Sequence, residues 1–148
     1  MNIDFGAASD LPQMAVLLEE LFTLESDFHP DRDKQLQGLT LILENPACGQ
    51  LFVLRDGAQI VGMANALITV STVEGGRVLL LEDVIVRSEY RGRGFGRQLV
   101  NHVLDWAREQ KMTRVTLLAD CDNRAALNFY GKLGFEPSHM AVLRKTLV

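Results

Sequence analysis

Cysteine is scarce in this 148-residue chain: there are two, Cys48 and Cys121, with no Cys-x-x-Cys pair, and the three histidines are scattered. That leaves no disulfide framework and no zinc-ligand spacing, so no metal is expected and a reducing cytoplasm is the expected setting. No run approaches the ~18 to 20 apolar residues that span a bilayer, so no membrane partner is expected. The first ten residues have neither a basic leader nor a continuous apolar stretch, unlike a signal peptide. An excess of basic charge is missing too. Fifteen Lys and Arg stand against 19 Asp and Glu, a formal charge of −4, which argues against nonspecific nucleic-acid binding and suits a small cationic partner. Repeats, low-complexity tracts and linkers are absent. With 47% hydrophobic residues the chain can bury a substantial core, and 1–148 is expected to form a single domain.

What is present alternates between helical and strand patterns. Ile3 to Phe5 reads as a short first strand. Ser9 or Asp10 can cap a helix with Pro12 in its first turn and Leu11, Val16, Leu17, Leu21 and Leu24 on its apolar positions. A second helix covers Asp33 to Leu43 and ends near Asn45-Pro46, because the residue before proline disfavours helical geometry. Leu51 to Arg55 and Gln59 to Ile68, joined at Asp56-Gly57, make a hairpin. After a turn at Gly75-Gly76, Arg77 to Val86 has apolar residues on both faces, as a central strand does. A helix from about Phe95 to Gln110 turns Leu99, Val103 and Trp106 toward a core. A strand at Arg114 to Leu118, a helix at Asn123 to Leu133 stopped by Gly134, and a final strand at Met140 to Leu147 complete an α/β (α+β) order.

The most informative stretch is Leu81 to Arg97, where an apolar strand meets a turn dense in glycine and arginine and then opens a helix. Gly92, Gly94 and Gly96 let the backbone approach a ligand, and the free N–H groups of a helix start favour an anion. Arg91, Arg93 and Arg97 add permanent positive charge. The spacing Gly-x-Gly-x-Gly fits neither the dinucleotide fingerprint nor the P-loop.

It does fit Arg/Gln-x-x-Gly-x-Gly, present as Arg91 to Gly96, and here the chain resembles the GNAT superfamily of N-acetyltransferases. Asn123-Arg-Ala-Ala-Leu-Asn-Phe-Tyr-Gly-Lys-Leu-Gly-Phe135 resembles that family's second hallmark, Asn-x-x-Ala-x-x-Phe-Tyr-x-x-x-Gly-Phe, at the usual distance downstream. The resemblance implies a three-layer fold in which a mixed, mostly antiparallel sheet is flanked by about four helices. It implies acetyl-CoA as co-substrate, with the turn from Arg91 through Gly92, Arg93, Gly94, Phe95 and Gly96 to Arg97 on its pyrophosphate. It also implies that Val84, Ile85 and Val86 pair with the pantetheine arm as another strand would, and that Asn123 touches that arm or ties its helix to the splayed strand. A plain helix N-cap is the competing role for Asn123.

Acetyl transfer to an amine needs a base, a polarised carbonyl and a proton for the departing thiolate. Leu81-Glu82-Asp83 resembles the Leu-Glu-Asp of diamine and polyamine acetyltransferases, which implies Glu82 as a base acting through water and a neighbouring acid that helps hold the cation. Adjacent on a strand, Glu82 and Asp83 are expected on opposite faces. The competing reading makes either one a strand-end surface group, or a group that pairs with an arginine to hold the fold. The resemblance places the hydroxyl of Tyr130 beside the sulfur as general acid, against a plain packing role. The family reads its acceptor with the first two helices and their connection, here Leu21 to Asp33, where Glu25, Asp27, Asp31 and Asp33 could guide a small-molecule or peptide amine or simply be solvated. A non-catalytic acyl-CoA sensor of the same fold is the alternative to an enzyme, and an edge strand at Met140 to Leu147 would offer a route to a homodimer.

Overall fold

The turn at Asp56-Gly57, with Gly57 at φ 59°, reverses the chain between β2 (Gly49–Asp56) and β3 (Gln59–Ser71), as an Asp-Gly pair should. The structure is a computed structural model describing residues 1–25 and 27–148, and it divides into two compact units, Met1–Leu118 and Ala119–Val148.

In the first unit, β1 (Asn2–Phe5), β4 (Gly76–Val86) and β5 (Val115–Leu117) join this hairpin in a five-stranded sheet of order β1-β2-β3-β4-β5. Neighbours are antiparallel except β4 and β5, which run parallel. The sheet is thus mixed and mostly antiparallel, as expected. Helices α1 (Leu11–Leu24) and α2 (Arg32–Glu44) cover one face: Leu51, Val53, Met63 and Ile85 share a core with Met14, Leu17, Leu18 and Leu39. Phe52, between Leu51 and Val53, points the other way and meets Trp106 of α3 (Phe95–Glu109) edge-to-face at 5.3 Å. Period-two alternation in β2 therefore separates the two helical layers.

The caps follow local chemistry with one exchange of roles. Asp31 accepts from Lys34 N at 3.2 Å and so starts α2 at Arg32, one residue before the expected Asp33. Asp10 precedes α1, but its carboxylate accepts from Ala7 N at 2.8 Å and from both terminal nitrogens of Arg55 at 2.7 and 2.6 Å. It closes a 3₁₀ turn (Ala8–Asp10) and tethers it to β2.

The second unit contains α4 (Arg124–Lys132), which Asn123 caps by accepting from Ala126 N at 3.1 Å and which ends before Gly134 at φ 92°. The strand expected at Met140 to Leu147 is not formed. An extended segment is stable only with a neighbour to take its N–H and C=O groups, and among the described residues of this unit no second strand exists.

Candidate active site

The β4–β5 ladder runs from Leu79↔Val115 to Leu81↔Leu117 and stops, while β4 continues to Val86. Over residues 82–86, β4 has β3 on one side and, among the described residues, no strand on the other. Arg87 N donates to Val61 O at 2.7 Å, which makes Gly62↔Val86 a pair whose own N–H and C=O groups point away from each other. Val86 presents its backbone groups to this open edge, and so does the C=O of Val84, which in a trans peptide points opposite to the Ile85 N–H. Ile85 turns its backbone to β3 and its side chain into the α1/α2 core.

Within that edge segment the register slips, between Met63↔Ile85 and Asn65↔Glu82, so Asp83 and Val84 together oppose Ala64 in a β-bulge. Asp83 takes φ 56°, the left-handed region that costs a side chain but that aspartate tolerates better than most residues. Asn65 faces Glu82 directly, and its Nδ2 donates to Asp83 Oδ2 at 2.7 Å. The carboxyls of Glu82 and Asp83 therefore share a face. The alternation expected from their adjacency fails here, because a bulge inserts a residue and breaks the period of two. The shared face is the one under α1 and α2, since Leu51, Asn65 and Glu82 form one cross-strand row and Leu51 belongs to that core. Burial pushes the Asp83 carboxyl up to about 6; the Asn65 hydrogen bond opposes this and the Glu82 charge adds to it. Sequence reasoning missed Asn65, although a lone amide among Met63, Ala64, Ala66 and Leu67 is a visible anomaly in a strand.

Beyond Val86 a 3₁₀ turn (Ser88–Tyr90) leads into the glycine turn. Gly92 and Gly94 take φ 74° and 83°, and a Cβ on either would meet nothing within 4 Å. Handedness, not crowding, is what requires glycine there. The first backbone bond of α3 is Gln98 N to Gly94 O at 3.1 Å, so the N–H groups of Phe95, Gly96 and Arg97 form the open start of that helix. The arginines differ in role. Arg91 donates Nε to Val86 O at 2.7 Å and Nη2 to Glu20 Oε1 at 2.9 Å. Arg93 lies over the rings of Tyr90 and Phe95, at 5.7 and 5.0 Å from their centroids, and the Tyr90 hydroxyl donates to Asp56 at 2.7 Å. Arg97 is exposed in the first turn of α3.

Of the acids between α1 and α2, Asp31 is the cap of α2 and Asp33 sits in its first turn, where a negative charge complements the helix dipole. Glu25 ends α1 through Glu25 N to Leu21 O at 3.2 Å, and Asp27 is exposed. In the second unit, Tyr130 on α4 stacks edge-to-face with Phe129 at 5.0 Å and Phe135 at 5.7 Å. Among the described residues no three His, Cys, Asp or Glu side chains are grouped as a metal would need, and no helix is long and apolar enough to cross a membrane.

A ladder broken beside a strand that runs into a glycine turn and a helix start is the arrangement of one acyl-transferring fold. The profile of the Acetyltransferase (GNAT) family matches residues 13–135, and the chain belongs to that family. It is 34% identical over 124 residues to an uncharacterized N-acetyltransferase, YobR, of Bacillus subtilis (strain 168), across 83% of this chain and 46% of the relative. The chain spans less than half the length of the first curated relatives it matches. Among solved structures, a possible acetyltransferase from Clostridium difficile 630 superposes with a TM-score of 0.89 at 19% identity, covering 99% of this chain and 97% of that one. A predicted acetyltransferase with acetyl-CoA from Clostridium acetobutylicum gives a TM-score of 0.79 at 14% identity, covering 97% and 95%. At these identities the likeness is one of fold.

Proposed function

We propose that this chain, acting as one acyl-CoA N-acyltransferase domain over 1–148 in the cytoplasm, moves an acetyl group from acetyl-CoA directly to a primary amine of a small molecule or peptide. The observation that carries the reading is the unpaired edge of β4 leading into a glycine turn at the start of α3, in a chain of the GNAT family. The donor set suits acetyl-CoA: a strand edge for the amide-bearing arm, then left-handed glycines, helix N–H groups and arginines for the pyrophosphate. Acetyl-CoA, when bound, supplies an acetyl group activated as a thioester.

The chain's own residues do the rest. The C=O of Val84 and the N–H of Val86 are offered at the open edge, the Val86 C=O being held by Arg91, with Ile85 anchoring the strand beneath them, and Asn123 serves the same arm. The N–H groups of Phe95, Gly96 and Arg97, exposed by the turns at Gly92 and Gly94, bind phosphate oxygens together with the guanidinium groups of Arg93 and Arg97. Arg91 braces the strand against the turn. Glu82 takes a proton from the acceptor ammonium through water, and Tyr130 gives a proton to the departing thiolate, a donor and an acceptor of similar basicity. Asp83, with Glu25 and Asp27, favours a cationic acceptor. Steady-state kinetics test the assignments: Glu82→Gln and Tyr130→Phe should each lower kcat by roughly 10²- to 10⁴-fold with unchanged circular dichroism. Parental rates in either variant would remove that residue from the chemistry.

A further inference from the structure

Asn65 is 2% exposed, and its Oδ1 is buried without a hydrogen-bond partner among the described residues. Beside it, Asp83 holds a left-handed backbone. Each is a cost to folding, and neither is needed to close the sheet: a leucine at 65 and a glycine at 83 would remove both. Unfavourable features side by side, joined by one hydrogen bond of 2.7 Å, call for a role other than stability.

We propose that Asn65 is a positioning residue of the acceptor site: its amide holds Asp83 in the bulge and turns that carboxyl to the face that carries Glu82, making a two-carboxyl site where strand alternation would leave one. The inference rests on the acetyl-transfer reading above. A primary ammonium has three N–H donors, so two carboxyls on one face recognise it better than one. The open acceptor of Asn65 then has a use. While Asp83 is ionised, Nδ2 donates to it; when Asp83 is protonated, a half-turn of the amide presents Oδ1 to the acid proton. The same residue thus satisfies Asp83 in both states. The other charged groups of the elements packed on this face are Glu82 and, at the far end of β4, Arg77, which donates to Gln110 O; Glu19 and Glu20 on α1, paired with Arg32 and Arg91; Arg32, Asp33, Lys34 and Glu44 on α2; and, at the end of β2, Arg55, paired with Asp4 and Asp10, and Asp56, which accepts from Tyr90, whereas within the row itself β2 and β3 bring Leu51 and Asn65.

The experiment follows Asp83 by carboxyl ¹³C NMR and Asn65 by its side-chain amide signals across pH 4 to 8, beside amine and acetyl-CoA kinetics. In the wild-type chain the Asn65 amide signals should shift with the same midpoint as the Asp83 carboxyl. Asn65→Leu should move that midpoint up by about one unit, move the acid limb of kcat/KM for the amine with it, and lower kcat/KM for the amine about tenfold or more, while KM for acetyl-CoA changes less than about twofold. Asp83→Asn, which the left-handed position accepts, should remove the part of the acid limb that shares the Asp83 midpoint and leave only the fall caused by protonating the base Glu82, and it decides the matter if Asn65→Leu does not fold. Independent midpoints for Asn65 and Asp83, or an Asn65→Leu enzyme whose pH profile stays in place, would overturn the proposal. Absence of turnover in the wild-type chain would count against acetyl transfer instead, and the NMR titration would still decide whether Asn65 governs Asp83.

Discussion

Arg91 Nε donates to the carbonyl oxygen of Val86 at 2.7 Å, so the first arginine of the glycine turn is engaged by the strand that leads into it. Its other arm reaches Glu20 on α1 at 2.9 Å. One planar guanidinium thereby fixes the turn relative to the open edge of β4 and to α1, which an ammonium, with no fork, cannot do. Arg91→Ala should lower stability by about 1 to 2 kcal/mol, since the contact with Glu20 is half exposed and contributes little. It should also weaken CoA binding several-fold, with Arg91→Lys recovering little. Thermal melts and calorimetric titration of CoA measure both.

Two glycines separate backbone strain from crowding. Gly94 has φ 83° and open space where a Cβ would stand, so Gly94→Ala should cost roughly 1 to 2 kcal/mol by handedness alone and reduce CoA affinity. At Gly38 in α2 a Cβ would likewise meet nothing within 4 Å, and its φ is not positive, so Gly38→Ala should raise stability by about 0.5 to 1 kcal/mol. Chemical denaturation of the two variants should move midpoints in opposite directions.

The ion pair of Asp10 and Arg55 sets an acid limit. Arg55 donates to Asp10 and Ala7 N adds a hydrogen bond, which together hold the Asp10 carboxyl below its usual range against the opposing effect of burial. A carboxylate depressed in the folded state stabilises the fold fully above its unfolded value of about 3.9 and ceases to do so as pH falls through its lower folded value. Asp10→Asn should therefore cost about 1 to 3 kcal/mol at pH 7, and the gap from the parent should close below about pH 4. Urea melts at both pH values check the sign.

The parts of this fold legible in the sequence are those fixed by neighbours along the chain. Asp56-Gly57 specified its hairpin and Asn123 its helix cap because both act over two or three residues. The glycine turn was legible for the same reason. The bulge at Asp83 was not, since it depends on Asn65 eighteen residues away, and no local pattern marks where a ladder slips. Asp10 reads locally as a cap, but its partner Arg55 lies 45 residues further on. The pattern of Met140 to Leu147 suits a strand, yet pattern alone supplies no neighbour to pair with.

Whether the chain transfers an acetyl group from acetyl-CoA to an amine is decided by thiol release from acetyl-CoA, followed against diamines, polyamines, aminoglycosides, amino acids and lysine peptides, beside calorimetric titration of CoA. An acetyltransferase built on the open edge of β4 and the glycine turn should bind CoA and release thiol in the presence of at least one acceptor class. CoA binding without release across the panel would favour a sensor over an enzyme, and no CoA binding at all would contradict acetyl transfer outright.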